Sequence, residues 1–328
     1  MSDSGVLAEG QGRGPGRWRL SLALFVATVL STLMVGAEHV IERSPWELAQ
    51  QALPGGLWAA LRAFAWGLGK GWLFAVPLMS ILVVHEFGHY LMARWHRVPA
   101  SLPMFIPFPN LFGTMGAVIA MPGRIRTRDA LVDIGAAGPL AGLSVAIPVT
   151  ALGLSLSRVE SVVGRTNIMV EGDSLLYLAL KRAVVGPIAD GYDVWLHPVA
   201  LAGWAGFFVT MMNLLPVGQL DGGHVAYALF GRRADRASRW VLGALMAHAL
   251  GVALWCLWRA RWHVGAANFT PAIIWGMWAL MSRGVMRLSG DAHPPTNDDE
   301  ASPGRKVVAV LSLVCFVLLF MPLPIQLK

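Results

Sequence analysis

The chain has 328 residues, of which 55% are hydrophobic and only 14% are charged. Soluble globular proteins carry about 25% charged residues, so this composition excludes an ordinary soluble domain and predicts a multi-pass protein of the lipid bilayer. The formal net charge of +7 is spread among apolar segments, which suits loops facing anionic lipid and predicts no nucleic-acid partner. Cys256 and Cys315 lie inside apolar runs, so we expect neither a disulfide framework nor a thiolate metal site.

The first 70 residues combine a tail, a membrane span and an interfacial segment. Residues 1–19 are glycine-rich and basic, as in a disordered tail. Residues 20–37 form an apolar run that we interpret as the first span; a cleaved signal peptide is the alternative, although its core usually has only 7–15 residues. Residues 38–70 mix charges with tryptophan and leucine, which is typical of an amphipathic segment at the membrane surface.

The next apolar run, residues 71–95, contains the motif HEFGH at positions 85–89. On a helix, His85 and His89 lie on one face, about 6 Å apart, so both imidazoles can bind one zinc ion. Glu86 is offset around the helix and is placed to act as a general base on water. The alternative is a chance match, but ionisable groups inside a membrane helix are costly and by default mark a functional site.

Residues 99–127 are interrupted by Pro103, Pro107, Pro109 and Pro122, so they cannot form one continuous helix. Within them the stretch FGTMGAVIAM, residues 112–121, is short and punctuated by glycine. We interpret it as a hairpin or re-entrant strand, which membranes tolerate only where protein or a watered cavity surrounds it. An exposed edge there could pair with an unwound substrate by strand addition.

Five further apolar segments and two polar ones follow. We expect spans at residues 131–156, opened by GAAGPLAG, and at residues 199–215, with additional spans near 240–258, 271–281 and 307–323. Asp133 is expected to cap its helix near the interface rather than to bind metal. The polar segment 157–198 is short for an independent domain, and residues 289–305 form a polar linker.

The predicted fold class is therefore an all-α polytopic membrane protein with about six to seven membrane segments and a small re-entrant β-hairpin near the active site. We divide the chain into residues 1–70, a catalytic membrane core at 71–231, and C-terminal spans at 232–328.

Basic residues predict the orientation of these spans. With the N-terminus in the cytoplasm, 16 of the 26 basic residues fall on the inner side, in agreement with the positive-inside rule. His85 then lies about 21 Å from the outer end of its helix, which puts the metal inside the membrane toward the cytoplasmic face. We expect a bacterial inner membrane. The inner residues are Arg13, Arg17, Arg19, Arg94, Arg97, Arg124, Arg126, Arg128, Arg232, Arg233, Arg236, Arg239, Arg283, Arg287, Arg305 and Lys306.

A catalytic zinc needs a third protein ligand and one open position. Asp221 follows an apolar span by a few residues and can reach a similar depth, although a turn residue before two glycines is an equally simple interpretation. His224, His248 and His197 are further candidates, each also explained by an interface, a packed helix or a loop.

The chain resembles the site-2 protease family of intramembrane zinc metalloproteases, peptidase M50. The resemblance covers residues 71–231 and depends on HEFGH, FGTMGAVI, GPLAG and NLLPVGQLDGGH. It implies one zinc ion bound by His85, His89 and Asp221, with Glu86 as the catalytic base and Asn213 as a group that orients substrate or binds an oxyanion. The implied substrate is a transmembrane protein.

Many members of this family carry a PDZ domain between the core spans, where this chain has a 42-residue segment. Two other functions compete with proteolysis. One is a non-catalytic zinc-binding membrane scaffold, which the retained Glu86 disfavours. The other is a metal transporter, whose acidic and histidine residues would spread over several spans.

Overall fold

A computed structural model describes residues 17–121, 125–164, 169–262, 268–289 and 299–327. Most of the predicted tail (residues 1–16), Pro122, Arg124 and most of the linker lie outside these ranges, whereas residues 17–19, predicted as the end of the tail, are helical. The described chain is mostly helical, and its elements are α1 Arg17–Ile41, α2 Pro45–Ala52, α3 Leu57–Lys70, α4 Trp72–Trp95, β1 Met104–Pro107, β2 Thr114–Val118, α5 Arg128–Leu156, β3 Arg158–Ser161, β4 Met169–Glu171, α6 Leu175–Val184, β5 Tyr192–Trp195, α7 Pro198–Asn213, α8 Asp221–Phe230, α9 Arg232–Arg259, α10 Thr270–Ser289, α11 Pro303–Leu319 and β6 Ile325–Leu327.

Four helices among the described residues, α1, α4, α5 and α9, are long and apolar enough to cross a membrane. Helix α7 is equally apolar but has only 16 residues. At 1.5 Å per residue it is about 24 Å long, which is shorter than the hydrocarbon core of about 30 Å. The structure thus confirms a helical membrane protein with four candidate spans.

The centre of the bundle is the packing of α4, α5 and α7, where small residues let the backbones approach closely. A Cβ atom on Gly153 of α5 would lie 2.1 Å from the Ala200 nitrogen of α7. A Cβ atom on Gly203 of α7 would lie 2.2 Å from Thr150 Oγ1 of α5. Small residues at such contacts are the usual basis of helix association in lipid, and here they hold α7 against α5.

A second apolar cluster joins α5, α8 and α11. Its buried members include Val132 of α5, Val225 and Ala228 of α8, and Ala309 of α11. Helix α11 begins at Pro303, inside the segment predicted as a linker and four residues before the apolar run at 307. Ser302 is the N-cap, and proline is favoured at the first position of a helix. α10 likewise extends beyond its predicted end, to Ser289.

The predicted hairpin is present, but its first strand lies outside residues 112–121. β1 pairs with β2 in antiparallel register, with Met104 opposite Val118 and a bulge between Phe105 and Pro107. The turn is built by Asn110, whose side chain accepts from the Phe112 amide at 2.9 Å and donates to the Thr114 carbonyl at 2.9 Å. β1 was not predicted, because proline is disfavoured within strands. Pro107 is compatible with β1 because it lies at the end of the strand.

The hairpin runs alongside α1. Its tip residue Leu111 has its carbonyl oxygen 3.3 Å from His39 Nε2, near the C-terminal end of α1. Gly113 has φ +74 and packs against the backbone of Ser31 and Thr32. The hairpin therefore begins after the C-terminal end of α4, and its tip reaches the C-terminal end of α1.

The polar segment 157–198 contains three strands and helix α6. Within it β3 pairs with β5, whereas β4 pairs with β6 from the C-terminal end of the chain. Lys181 Nζ lies 3.2 Å from Glu171 Oε1, and the Tyr177 hydroxyl donates to the same oxygen at 2.9 Å. Burial raises the pKa of Glu171, and the pKa of Lys181 is also raised because nearby carboxylates outweigh its burial. The pairing of β6 with β4 fixes the end of α11 on this segment.

Candidate metal centre

Helix α4 presents its two motif histidines to the interior of the bundle. His85 is 2% exposed and His89 is 7% exposed, and their Nε2 atoms lie 3.2 Å apart. The four-residue spacing produces this arrangement, because residues i and i+4 are neighbours on one helix face. Both rings therefore direct one nitrogen to a common point.

Asp221 reaches the same point from a different helix. It is the first residue of α8 and is not part of a turn. Two glycines make the approach of α8 possible: a Cβ atom on Gly222 would lie 1.9 Å from the Leu214 carbonyl oxygen, and one on Gly223 would lie 2.1 Å from the Gly218 carbonyl oxygen. The α7–α8 loop is thus folded tightly beneath the carboxylate.

The three side chains have the spacing of metal ligands. Asp221 Oδ2 lies 3.5 Å from His85 Nε2 and 3.2 Å from His89 Nε2. A tetrahedral zinc with ligand bonds of 2.0–2.1 Å would set its ligand atoms about 3.3 Å apart. Two imidazoles and one carboxylate are also a donor set typical of catalytic zinc. Within the described ranges this is the group of histidine, cysteine and acidic side chains that is compact enough to hold a metal.

Helix α5 orients His89. The His89 Nδ1 atom lies 2.7 Å from the Ile134 carbonyl oxygen. Because a carbonyl can only accept, Nδ1 carries the proton and Nε2 is left free to bind metal. Such partners of ligand histidines fix the tautomer and the orientation of the ring.

The GPLAG motif faces the two histidine rings. A Cβ atom on Gly138 would lie 2.0 Å from His89 Nε2, and one on Gly142 would lie 3.1 Å from His85 Nδ1. The two glycines are four residues apart, as the histidines are, so each glycine accommodates one imidazole between α4 and α5.

Glu86 and Asn213 lie beside the three side chains. Glu86 is 6% exposed, and the Asn213 Nδ2 atom lies 3.2 Å from His85 Nε2. Glu86, Asn213 and His85 line one cavity of about 160 Å³. The rest of its wall is mostly apolar and comes from the hairpin, α4, α7 and α10. The cavity can therefore hold an apolar segment next to the three clustered side chains.

The other candidates from the sequence lie elsewhere. His197 precedes α7, where its Nδ1 accepts from the Val199 amide at 3.3 Å, and His248 Nε2 is 3.0 Å from the Pro322 carbonyl oxygen. His224 is not a member of the compact ligand group. Asp133 was expected to cap its helix, but Thr127 is the N-cap; Asp133 instead pairs with His96 and Arg305.

Sequence reasoning missed the Ile134 carbonyl, because a backbone acceptor leaves no trace in residue type. It also used GPLAG as one motif of the family resemblance and gave its glycines no role beside the histidines. Their spacing, equal to that of the histidines, was the available signal.

The model of the protein family "Peptidase family M50" matches residues 73–254, which is more than half of the chain. This range contains the three clustered side chains, Glu86 and Asn213.

Named relatives are similar over parts of the chain. One is the "Probable zinc metalloprotease EGY1, chloroplastic" of Arabidopsis thaliana, 29% identical over 92% of this chain and 53% of that protein. A second is the "Probable zinc metalloprotease EGY2, chloroplastic" of Oryza sativa subsp. indica, 32% identical over 54% of this chain and 32% of that protein. The "Probable zinc metallopeptidase EGY3, chloroplastic" of Arabidopsis thaliana is 31% identical over 75% of this chain and 42% of that protein.

This chain spans between about a third and about half of the length of these curated relatives. Their names place them in chloroplasts, so they give no support to the expected bacterial inner membrane. No solved structure was found to match the chain.

The contact between Gly138 and His89 generates a first prediction. Gly138→Ala should weaken metal binding about tenfold or more, the range found when groups that orient a ligand are lost, because the new methyl group would occupy the position of the imidazole. Zinc titration of the purified protein measures the effect. Gly243→Ala in α9 is the control, since a Cβ atom there meets nothing within 4 Å. Equal zinc affinity for both variants would contradict the assigned packing.

Proposed function

Since the chain belongs to peptidase family M50, we propose that it is an intramembrane zinc metalloprotease, which hydrolyses peptide bonds within or near transmembrane segments of other membrane proteins. The observation that carries the proposal is the spacing of 3.2–3.5 Å among the Nε2 atoms of His85 and His89 and an oxygen of Asp221. We propose these three side chains as the zinc ligands.

Glu86 is the proposed catalytic base, and Asn213 the proposed oxyanion donor. Bound zinc supplies Lewis acidity, which lowers the pKa of water from 15.7 to about 7. Glu86 takes the proton from the attacking water and returns it to the leaving amine. The Asn213 amide donates a hydrogen bond to the carbonyl oxygen as negative charge develops there. Glu86 is buried and Asn213 is half-buried beside an apolar cavity, which supports these roles, because hydrogen bonds to charge are strongest where water is excluded.

We propose seven membrane segments, α1, α4, α5, α7, α9, α10 and α11, with a cytoplasmic N-terminus and the metal centre toward the cytoplasmic side. The basic residues support this orientation. The pairing of β6 with β4 also agrees with it, because the end of α11 and the segment 157–198 are then both outside. The hairpin starts after α4 on the inner side and its tip meets His39 near the outer end of α1, as a re-entrant element would.

The three-part division of the chain stays a proposal, with residues 71–231 as the catalytic core. Neighbouring parts contribute to that core. The hairpin packs on α1, and α10 supplies Ile274, Met277 and Trp278 to the cavity wall. A scaffold without catalysis or a metal transporter would use the same three ligands but would not need Glu86. Substitution of Glu86 therefore separates these functions from proteolysis.

The ligand and base assignments make a second prediction. Glu86→Gln should keep zinc but reduce cleavage of a reconstituted membrane substrate by about 10²–10⁴-fold, the contribution of general base catalysis. His85→Ala and Asp221→Ala should lose both zinc and cleavage, because each removes one of three ligands. Zinc content and substrate cleavage are measured on the same preparations. Cleavage at the wild-type rate by Glu86→Gln would refute the base assignment.

The orientation makes a third prediction, tested in a variant without Cys256 and Cys315. Ser161→Cys, exposed beside β5, should react with an impermeant thiol reagent added outside intact cells. Ala237→Cys, exposed near the start of α9, should react only after permeabilisation. The reverse pattern would overturn the orientation and move the metal centre to the outer side.

The free edge of β2 makes a fourth prediction. The Gly116 amide donates to Thr114 Oγ1 at 3.0 Å, and this hydroxyl donates to the Ile106 carbonyl of β1 at 3.0 Å, so the Gly116 amide faces β1. Amides alternate along a strand, so the Ala117 amide faces the other edge, where an unwound substrate could pair with it.

Ala117→Pro removes this donor and should lower cleavage about fivefold, the value of roughly 1 kcal/mol for one hydrogen bond, with unchanged zinc content. Ala117→Val keeps the amide and is the control for side-chain size. If Ala117→Pro cleaves as well as Ala117→Val, strand addition at this edge is wrong.

A further inference from the structure

We propose that Arg305 is a positioning residue of the metal centre, which acts through α5 on His89. It holds the first turns of α5 in the place where the Ile134 carbonyl accepts from His89 Nδ1. The inference rests on the proposed function in taking zinc as the metal and His89 as one of its ligands.

Arg305 binds the residue next to Ile134. Its Nη2 atom donates to Asp133 Oδ2 at 3.2 Å, and its Nε atom lies 3.3 Å from both oxygens of that carboxylate. A guanidinium that contacts a carboxylate through two nitrogens fixes orientation as well as distance. The Asp133 side chain is 18% exposed and that of Arg305 is 42% exposed, so the carboxylate lies at the edge of the packed bundle and water partly screens the pair.

Asp133 also joins α5 to the end of the histidine helix. His96, the residue after α4, has its Nε2 atom 2.8 Å from Asp133 Oδ2. A second contact runs parallel, because the Ser302 amide donates to Asp129 Oδ1 at 2.7 Å. The start of α11, the start of α5 and the end of α4 are thus connected through two carboxylates.

The apolar face of α11 supports the same arrangement. Ala309 is fully buried in the cluster that contains Val132 of α5 and Val225 of α8. Helix α8 begins with Asp221, so α11 packs against both the helix that orients His89 and the helix that supplies the carboxylate. A shift of α11 would therefore reach two of the three proposed ligands.

The tight fit around His89 makes the centre sensitive to such a shift. Gly138 lies one helical turn beyond Ile134 and leaves no free space beside the ring. If the first turns of α5 moved, the 2.7 Å contact between Nδ1 and the Ile134 oxygen would lengthen, and the ring would lose its fixed tautomer. Helix α11 lies outside residues 73–254, so this support comes from beyond the family match.

The test compares zinc affinity in the full-length protein. Arg305→Gln should weaken zinc binding about tenfold, the lower end of the range for residues that orient a metal ligand. It should also change the d–d absorption spectrum of the cobalt-substituted protein. Arg305→Lys keeps the charge and should recover part of the affinity. Asp133→Asn should produce at least as large a loss, because Asp133 also binds His96. The double variant Arg305→Gln with Asp133→Asn should lose little more than Asp133→Asn alone, because Asp133 is the nearest partner of Arg305.

Lys306→Gln is the matched control. It removes the same charge from the neighbouring position, where Lys306 pairs with Glu300, which is exposed. Wild-type zinc affinity and cobalt spectrum in Arg305→Gln, or an equal loss in Lys306→Gln, would overturn the proposal. Proteolysis is assayed separately: a wild-type protein that binds zinc without cleaving would refute the proposed function and leave the role of Arg305 standing.

Discussion

The structure depends on one constraint: two histidines and an aspartate lie together inside an apolar helical bundle. Unpaired ionisable groups in such surroundings cost several kcal/mol each, so each of the three must find a partner. The divalent ion that we propose would satisfy them together, and the Ile134 carbonyl accepts the remaining proton of His89. The glycines at 138, 222 and 223 follow from the same constraint, because a Cβ atom at any of them would overlap a neighbour in the close packing of α5 and the α7–α8 loop around the site.

The depth of the site follows from the shortness of α7. This helix ends at Asn213, and the irregular loop after it continues inside the bundle, where every backbone group needs a partner. The loop supplies its own bonds: the Leu215 amide donates to Met212, the Val217 amide to Leu215, and the Leu220 amide to Val217. Non-helical backbone is therefore stable at this position, and Asp221 can begin a new helix beside α4.

The parts of this fold that could be predicted from sequence are those set by local spacing. The histidine pair follows from the four-residue period of a helix, and α1, α4 and α5 follow from apolar runs. Asp221 was one of several candidates until the NLLPVGQLDGGH motif favoured it.

Contacts between distant residues were not predictable, because periodicity carries no information about them. The pairing of β4 with β6 and the bond from Arg305 to Asp133 join segments separated by more than a hundred residues. β1 was missed for a different reason, because Pro107 at its end argues locally against a strand.

The place of α11 and β6 late in the chain has a consequence for biosynthesis. His85, His89 and Asp221 leave the ribosome well before Pro303–Leu319, the helix that packs on α5 and α8, and β6 follows later still. Until that helix inserts, the cluster around Val132 and Val225 has an open side, and the surroundings of the ligands are incomplete. The packing around the proposed ligands is therefore completed only when α11 inserts, late in the synthesis of the chain.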